Sequence, residues 1–175
     1  MNQSGDANIL GQYIEVGYEG HRDFIPENIY ATMLDNVVIA CVDILLIYEN
    51  KIFIAKRVQY PHADWWLLGG RMRTGEKVND SARRIVLIES NLAIDEDRFS
   101  FLTLYAAAWN LRAHEPERNG THTISIVLSA TLTQDEYGKI VLNKEYSEGR
   151  LMSASDILNT ESLHPALKQC ASILL

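Results

Sequence analysis

Gly70-Arg71-Met72-Arg73-Thr74-Gly75-Glu76 is followed by seven residues, then Arg84, and finally Glu89. Gly70 and Gly75 mark a loop, and the residues after it carry a helical pattern: Ala82, Ile85, Val86 and Glu89 recur at 3.6-residue spacing over 79–90. Asn79 or Asp80 is placed to cap that helix. Taken alone, 79–90 also fits a plain amphipathic helix with Glu89 as a solvated or paired surface acid. The decision therefore lies in what flanks the segment.

Upstream, Val37–Tyr48 is an apolar run rich in Val and Ile, the mark of a buried strand, interrupted by Asp43. Glu49-Asn50-Lys51 makes a turn, and Ile52–Arg57 returns as a second strand. Before them, Ile25-Pro26-Glu27-Asn28 opens a short helix through Leu34, since proline suits a first turn. Residues 1–24 are polar and irregular and are expected to form an arm, leaving 25–175 as one domain. Downstream, strands are expected at 99–109, 122–132 and about 149–152. A helix near 154–158 would be capped by Ser153 or Ser155, and an apolar helix at 164–174 closes the chain. Strands alternating with helices on both sides predict an α/β sandwich around a mixed β-sheet.

The composition narrows the function. At 175 residues with 47% hydrophobic content, the chain can bury one good core. A net charge of −7 argues against non-specific nucleic-acid binding. The longest apolar stretch is far short of the roughly 20 residues that span a membrane. No basic segment followed by an apolar one opens the chain, and Cys41 and Cys170 have no metal-type spacing, so a reduced, cytoplasmic protein is expected.

The segment from Gly70 to Glu89 resembles the Nudix box: a Gly, five residues, Glu, seven residues, Arg-Glu, then two adjacent Glu before a Gly. Three positions depart from it. Ile85 replaces the Glu after the Arg, Ile88 the first of the paired Glu, and Asn91 the later Gly. The flanks are similar to one subfamily, the GDP-mannose mannosyl hydrolases, which also lacks those two carboxylates. The likeness runs over roughly residues 25–165. It takes in Ala31-Thr32, Asp43, Lys56-Arg57, Trp65 before the Gly-Gly pair, Tyr105, Trp109, Arg150 to Leu158, and Leu163-His164. Where that subfamily has a Pro before Gly-Gly, this chain has Leu68.

The resemblance implies a Nudix-type α/β/α sandwich with a loop–helix–loop motif, whose carboxylates and backbone carbonyl hold Mg²⁺ (or Mn²⁺) against a diphosphate. Glu89, Glu76 and the Gly70 carbonyl are the candidate metal ligands, and Arg84 is expected to pair with Glu76. Arg57 and Arg71 are the candidate phosphate contacts, guanidinium being a planar, always-charged paired donor. Asp43, an acid in an apolar strand, either pairs with an Arg such as Arg57 or faces the site. Tyr105 is a candidate substrate contact. His122 is the candidate base, subject to a loop three residues shorter than the subfamily's; an ungapped count puts Ser125 there instead. Trp65 and Trp66 point to opposite faces, so at most one reaches a site.

The implied reaction is hydrolysis of a nucleoside diphosphate sugar such as GDP-mannose at the glycosyl C–O bond. One metal suffices to stabilise a diphosphate leaving group, whereas attack at phosphorus commonly uses more carboxylates. Two alternatives stay open. One is a conventional Nudix pyrophosphohydrolase that borrows ligands such as Asp64 or Asp80; the other is a catalytically silent nucleotide-binding module. The subfamily also implies a homodimer, with residues 1–35 in its interface.

Overall fold

The computed structural model describes residues 10–18, 20 and 24–175. The described elements run α1 (Glu27–Asn36), β1 (Ile39–Tyr48), β2 (Lys51–Arg57), β3 (Trp65–Trp66), β4 (Leu68–Arg71), α2 (Val78–Ser90) and β5 (Ser100–Trp109). They continue with β6 (Thr121–Thr131), α3 (Gln134–Tyr137), β7 (Tyr146–Met152), α4 (Ala154–Asn159) and α5 (Pro165–Ser172). Together the strands make one mixed sheet between helices, the α/β architecture expected from the sequence.

β1 is its hub. It runs parallel to β6 from Ile39↔Thr123 to Ile47↔Thr131, and on its other edge meets β4 at Cys41–Ile44 and β2 at Leu46–Tyr48. β5 completes one side of the sheet beyond β6, while β3 and β7 pair with β2. Both faces of β1 are covered, which is why its sequence reads as continuous apolar residues rather than an alternation. Val42, Ile44 and Leu46 pack with Val78, Ala82, Ile85 and Val86 of α2. Leu45 turns the other way, into a cluster with Ile157 of α4 and Leu167 and Cys170 of α5.

Several boundaries differ from the sequence expectation. α2 begins at Val78 with Lys77 as its N-cap residue. Asp80 is not the cap; its carboxylate accepts the Lys77 backbone N–H at 3.3 Å from inside the first turn. Ser153 caps α4 by accepting the Asp156 N–H at 3.0 Å. α3 was not expected, although Thr133 and Glu136 form its reciprocal cap. Of the expected arm, residues 1–9, 19 and 21–23 lie outside the described residues. Its described part reaches the box: Gln12 Oε1 accepts the Val78 N–H at 2.5 Å.

Candidate active site

β1, β5 and β6 each present alternate side chains on the α5 side of the sheet. Beyond the reach of α4 and α5 that face is open, and Cys41, Asp43, Tyr105, Thr123 and Ser125 form the floor of a cleft. Its walls come from Tyr30 and Leu34 of α1, from Arg57 and the loop through His62, from Gly69–Arg71, and from the Arg112–His114 turn. Arg57, Arg71, Asp43, Tyr105 and Gly70, singled out from the sequence, are thus brought to one cavity.

Asp43 is buried, and Tyr105 donates a hydrogen bond to its carboxylate. Burial raises its pKa, which the Tyr105 and Ser125 hydroxyls and the Arg57 charge only partly oppose. The partner that the apolar strand required is therefore Tyr105 in the first place, with Arg57 acting from farther off. Gly69 is dictated by this acid, because a Cβ there would lie 1.8 Å from Asp43 Oδ1. Arg57 faces Glu145 at 3.7 Å, and Arg71 lies over the Tyr30 ring at 5.3 Å.

The box itself divides in two. Glu76 is held by Arg84 at 2.7 and 2.8 Å, by Ser81 at 2.6 Å and by the Arg73 N–H at 3.0 Å. Burial opposes its ionisation, yet these donors bring its pKa down to about 2. Arg84 also donates to the Arg71 carbonyl at 3.0 Å, tying the loop to the helix. Glu89 behaves differently. It accepts from the Gly69 N–H at 3.0 Å and Tyr146 OH at 2.6 Å, both on Oε2. Burial pushes its pKa up to about 7.

The two replaced acids have distinct surroundings. Ile85 is 2% exposed and belongs to the core, whereas Ile88 is 53% exposed. Asn91 ends the helix at φ 58°, a left-handed position where Asn is the usual substitute for Gly. Among the described residues no group of three His, Cys, Asp or Glu side chains is arranged to hold a metal.

His122 does not join the cleft residues. It is exposed on β6 between Thr121 and Thr123, and the strand's two-residue period turns it to the opposite face from Thr123 and Ser125. There it borders an adjoining depression with Asp35, Ala108 and Asn119. Trp66 lines the cleft, while Trp65 lies under the Arg150 guanidinium at 3.9 Å.

Sequence reading missed the Arg112 turn and His62. Arg112 is 1% exposed, pairs with Asp35 at 2.7 Å and donates to the carbonyls of His114, Glu115 and Gly120. No pattern around it announces this. Four buried side-chain atoms lack a hydrogen-bond partner among the described residues: Arg57 Nε, His62 Nε2, His114 Nδ1 and Thr121 Oγ1. All four belong to cleft-lining residues. Such atoms are costly to leave unpaired, and their grouping concentrates hydrogen-bonding capacity in this cavity.

The family model for the NUDIX domain matches residues 39–171. The chain belongs to the NUDIX family. No curated protein matches it. Among solved structures, a MutT NUDIX hydrolase from Burkholderia pseudomallei aligns at TM-score 0.64 and 18% identity, over 80% of this chain and 100% of that one. The NUDIX domain of Shewanella oneidensis NrtR complexed with ADP ribose aligns at 0.56 and 15%, over 85% and 97%. A MutT/nudix family protein from Enterococcus faecalis aligns at 0.53 and 17%, over 66% of this chain but only 44% of that one. At these identities the likeness is one of fold. This Nudix chain thus keeps the superfamily's loop–helix–loop, with Glu89 as the box carboxylate that is not committed to an ion pair.

Proposed function

We propose that this Nudix protein hydrolyses a nucleoside diphosphate sugar, of the GDP-mannose kind, at the glycosyl C–O bond and releases nucleoside diphosphate and sugar. The observation that carries the proposal is the division within the box. Glu76 is consumed by Arg84, Ile85 is core and Ile88 is apolar, which leaves Glu89 beside Gly69 and Gly70. That donor set suits a single Mg²⁺, or Mn²⁺, on the diphosphate. A bound ion would neutralise charge on the diphosphate as it departs.

The protein's own groups supply the rest. Arg57 and Arg71 contact phosphate oxygens from two walls of the cleft. The Asp43–Tyr105 pair, fixed beneath them, hydrogen-bonds the sugar or the bridging oxygen. Trp66 and Trp109 give the cleft aromatic surface against which a flat ring or the apolar face of a sugar can lie. The same reading includes a homodimer and a cytoplasmic location. In favour of the dimer, Leu104 and Ile124 are exposed on the sheet side that also carries His122. Sedimentation of the whole chain would find twice its 19.8 kDa mass.

The decisive experiment is turnover of a panel of nucleoside diphosphate sugars with Mg²⁺ in ¹⁸O-water. Label in the released sugar is the expected result. Label in a phosphate group would replace the proposal with pyrophosphohydrolysis. Glu89→Gln keeps an acceptor for Tyr146 and Gly69, and should fold while losing at least about a hundredfold in rate; a removed electrostatic stabiliser typically costs that much. Unchanged turnover would take Glu89 out of the site.

A further inference from the structure

A hydrolytic reaction in this cleft needs a group to take the water's proton, and four histidines are among the described residues. His164 is the N-cap of α5, its Nδ1 accepting the Ala166 N–H at 3.1 Å. His122 faces the other side of the sheet. His114 sits on the Arg112 turn, against the Tyr30 ring and 3.6 Å from Glu27. His62 stands in the wall formed by the loop between β2 and β3, next to Trp66 at 4.9 Å and Trp109 at 5.4 Å between ring centroids.

We propose that His62 is the general base of the hydrolysis, its imidazole in the cleft wall accepting a proton from the attacking water. The assignment rests on the nucleotide-sugar hydrolase reading above. Three features of the site support it. The ring packs against Trp66, Trp109 and His164 at 4.9, 5.4 and 5.2 Å between centroids, which sets it in the cleft wall. Nε2 has no hydrogen-bond partner among the described residues although it is buried, and it belongs to a cleft-lining residue. Burial first, then the neighbouring His164 and Arg57, lower the imidazole pKa and keep it neutral and able to accept. Asp64 acts in the other direction and favours the imidazolium once it forms.

Asp43 is a poorer candidate, since its carboxylate is already engaged by Tyr105. In the step itself, water oxygen bonds to the anomeric carbon while one water proton passes to the His62 imidazole. The glycosyl C–O electron pair leaves with the nucleoside diphosphate. The imidazolium then returns its proton to solvent.

The test uses the full chain, Mg²⁺ and the sugar nucleotide that the wild type turns over best. His62→Gln and His62→Asn are compared with wild type for kcat, KM and pH dependence. GDP and UDP binding, followed by calorimetry, serves as the check on fold and cleft. Proton transfer to a placed base contributes about a hundredfold to ten-thousandfold. The expected result is a kcat loss of that size with KM and nucleoside diphosphate affinity near wild type. The acid limb of the wild-type kcat/KM profile combines His62, titrating below the ordinary imidazole value of 6.5, with Glu89, pushed up to about 7. Both variants should lose the His62 part, so that the limb becomes less steep. For His62→Ala, added imidazole should restore part of the rate.

A raised KM with kcat unchanged would make His62 a binding residue and overturn the assignment. So would a less steep acid limb in His114→Gln or His122→Gln but not in the His62 variants. Turnover by wild type and variants alike sinks the base alone. No turnover by the wild type, with GDP or UDP still bound, sinks the hydrolase reading and the base with it. If both amide variants fail to fold, the wild-type profile decides, and a rate with no acid limb below pH 6.5 for as long as the chain stays folded overturns the proposal.

Discussion

Asp43 sets a tight local constraint on the residues around it. A carboxyl group embedded in β1 must find a donor, and it finds Tyr105 OH on β5, with β6 lying between the two strands. Tyr105→Phe removes that donor and leaves the buried acid under-satisfied, so folding stability should fall by about 1–3 kcal/mol in urea denaturation. Gly69→Ala should be worse, because its Cβ would overlap the same carboxylate. The need for a partner was legible in the sequence, since an acid inside an apolar run is costly alone. Which partner was not legible, because the answer depends on a side chain reaching across an intervening strand. His62 shows the same limit: a histidine after a proline in a loop carries no periodic signal, and its surroundings come from three separate elements.

α2 and its loop act as one unit because Arg84 holds both ends. Its guanidinium binds the Glu76 carboxylate and the Arg71 carbonyl, on opposite sides of the turn at Thr74–Gly75. Arg84→Ala leaves a largely buried acid without its cation and should cost about 3 kcal/mol or somewhat less, the pair being partly solvated. Amide exchange should quicken over residues 72–77, and turnover should fall with it. Arg112 does the same for the turn after β5, and Arg112→Ala should open residues 110–120 to proteolysis before the rest of the chain. The helix was readable because thirteen residues span several helical turns and display their buried face. β3 and β4, two and four residues long, are too short to show an alternation. α3 is equally short, but Thr133 and Glu136 spelled its capping box in the sequence.

At the scale of the whole molecule, pH sorts three glutamates by sign. Glu76, held by Arg84, and Glu136, held by Arg98, both have folded-state pKa values of about 2, below the ordinary 4.5. Each contributes stability that is present above 4.5 and is lost as pH falls towards 2. Glu89 works in the reverse sense over a different window, since a value raised to about 7 makes folding less favourable as pH rises from 4.5 to 7. Urea midpoints should therefore drop between about pH 4.5 and pH 2.5, and the double variant Glu76→Gln with Glu136→Gln should flatten that slope. An unchanged slope would mean that the two ion pairs persist in the unfolded chain. The layered architecture followed from the order of periodic segments, because each apolar face needs a cover. The cleft did not, because it lies where that cover stops, a matter of helix lengths and angles.

Of the three tryptophans, Trp66 and Trp109 line the cleft, while Trp65 is stacked beneath Arg150. The cavity therefore comes with its own optical reporter. A nucleotide that enters it displaces water from two indoles and leaves the third as a constant background. Intrinsic emission can then report occupancy directly, without a label and before any bond is broken.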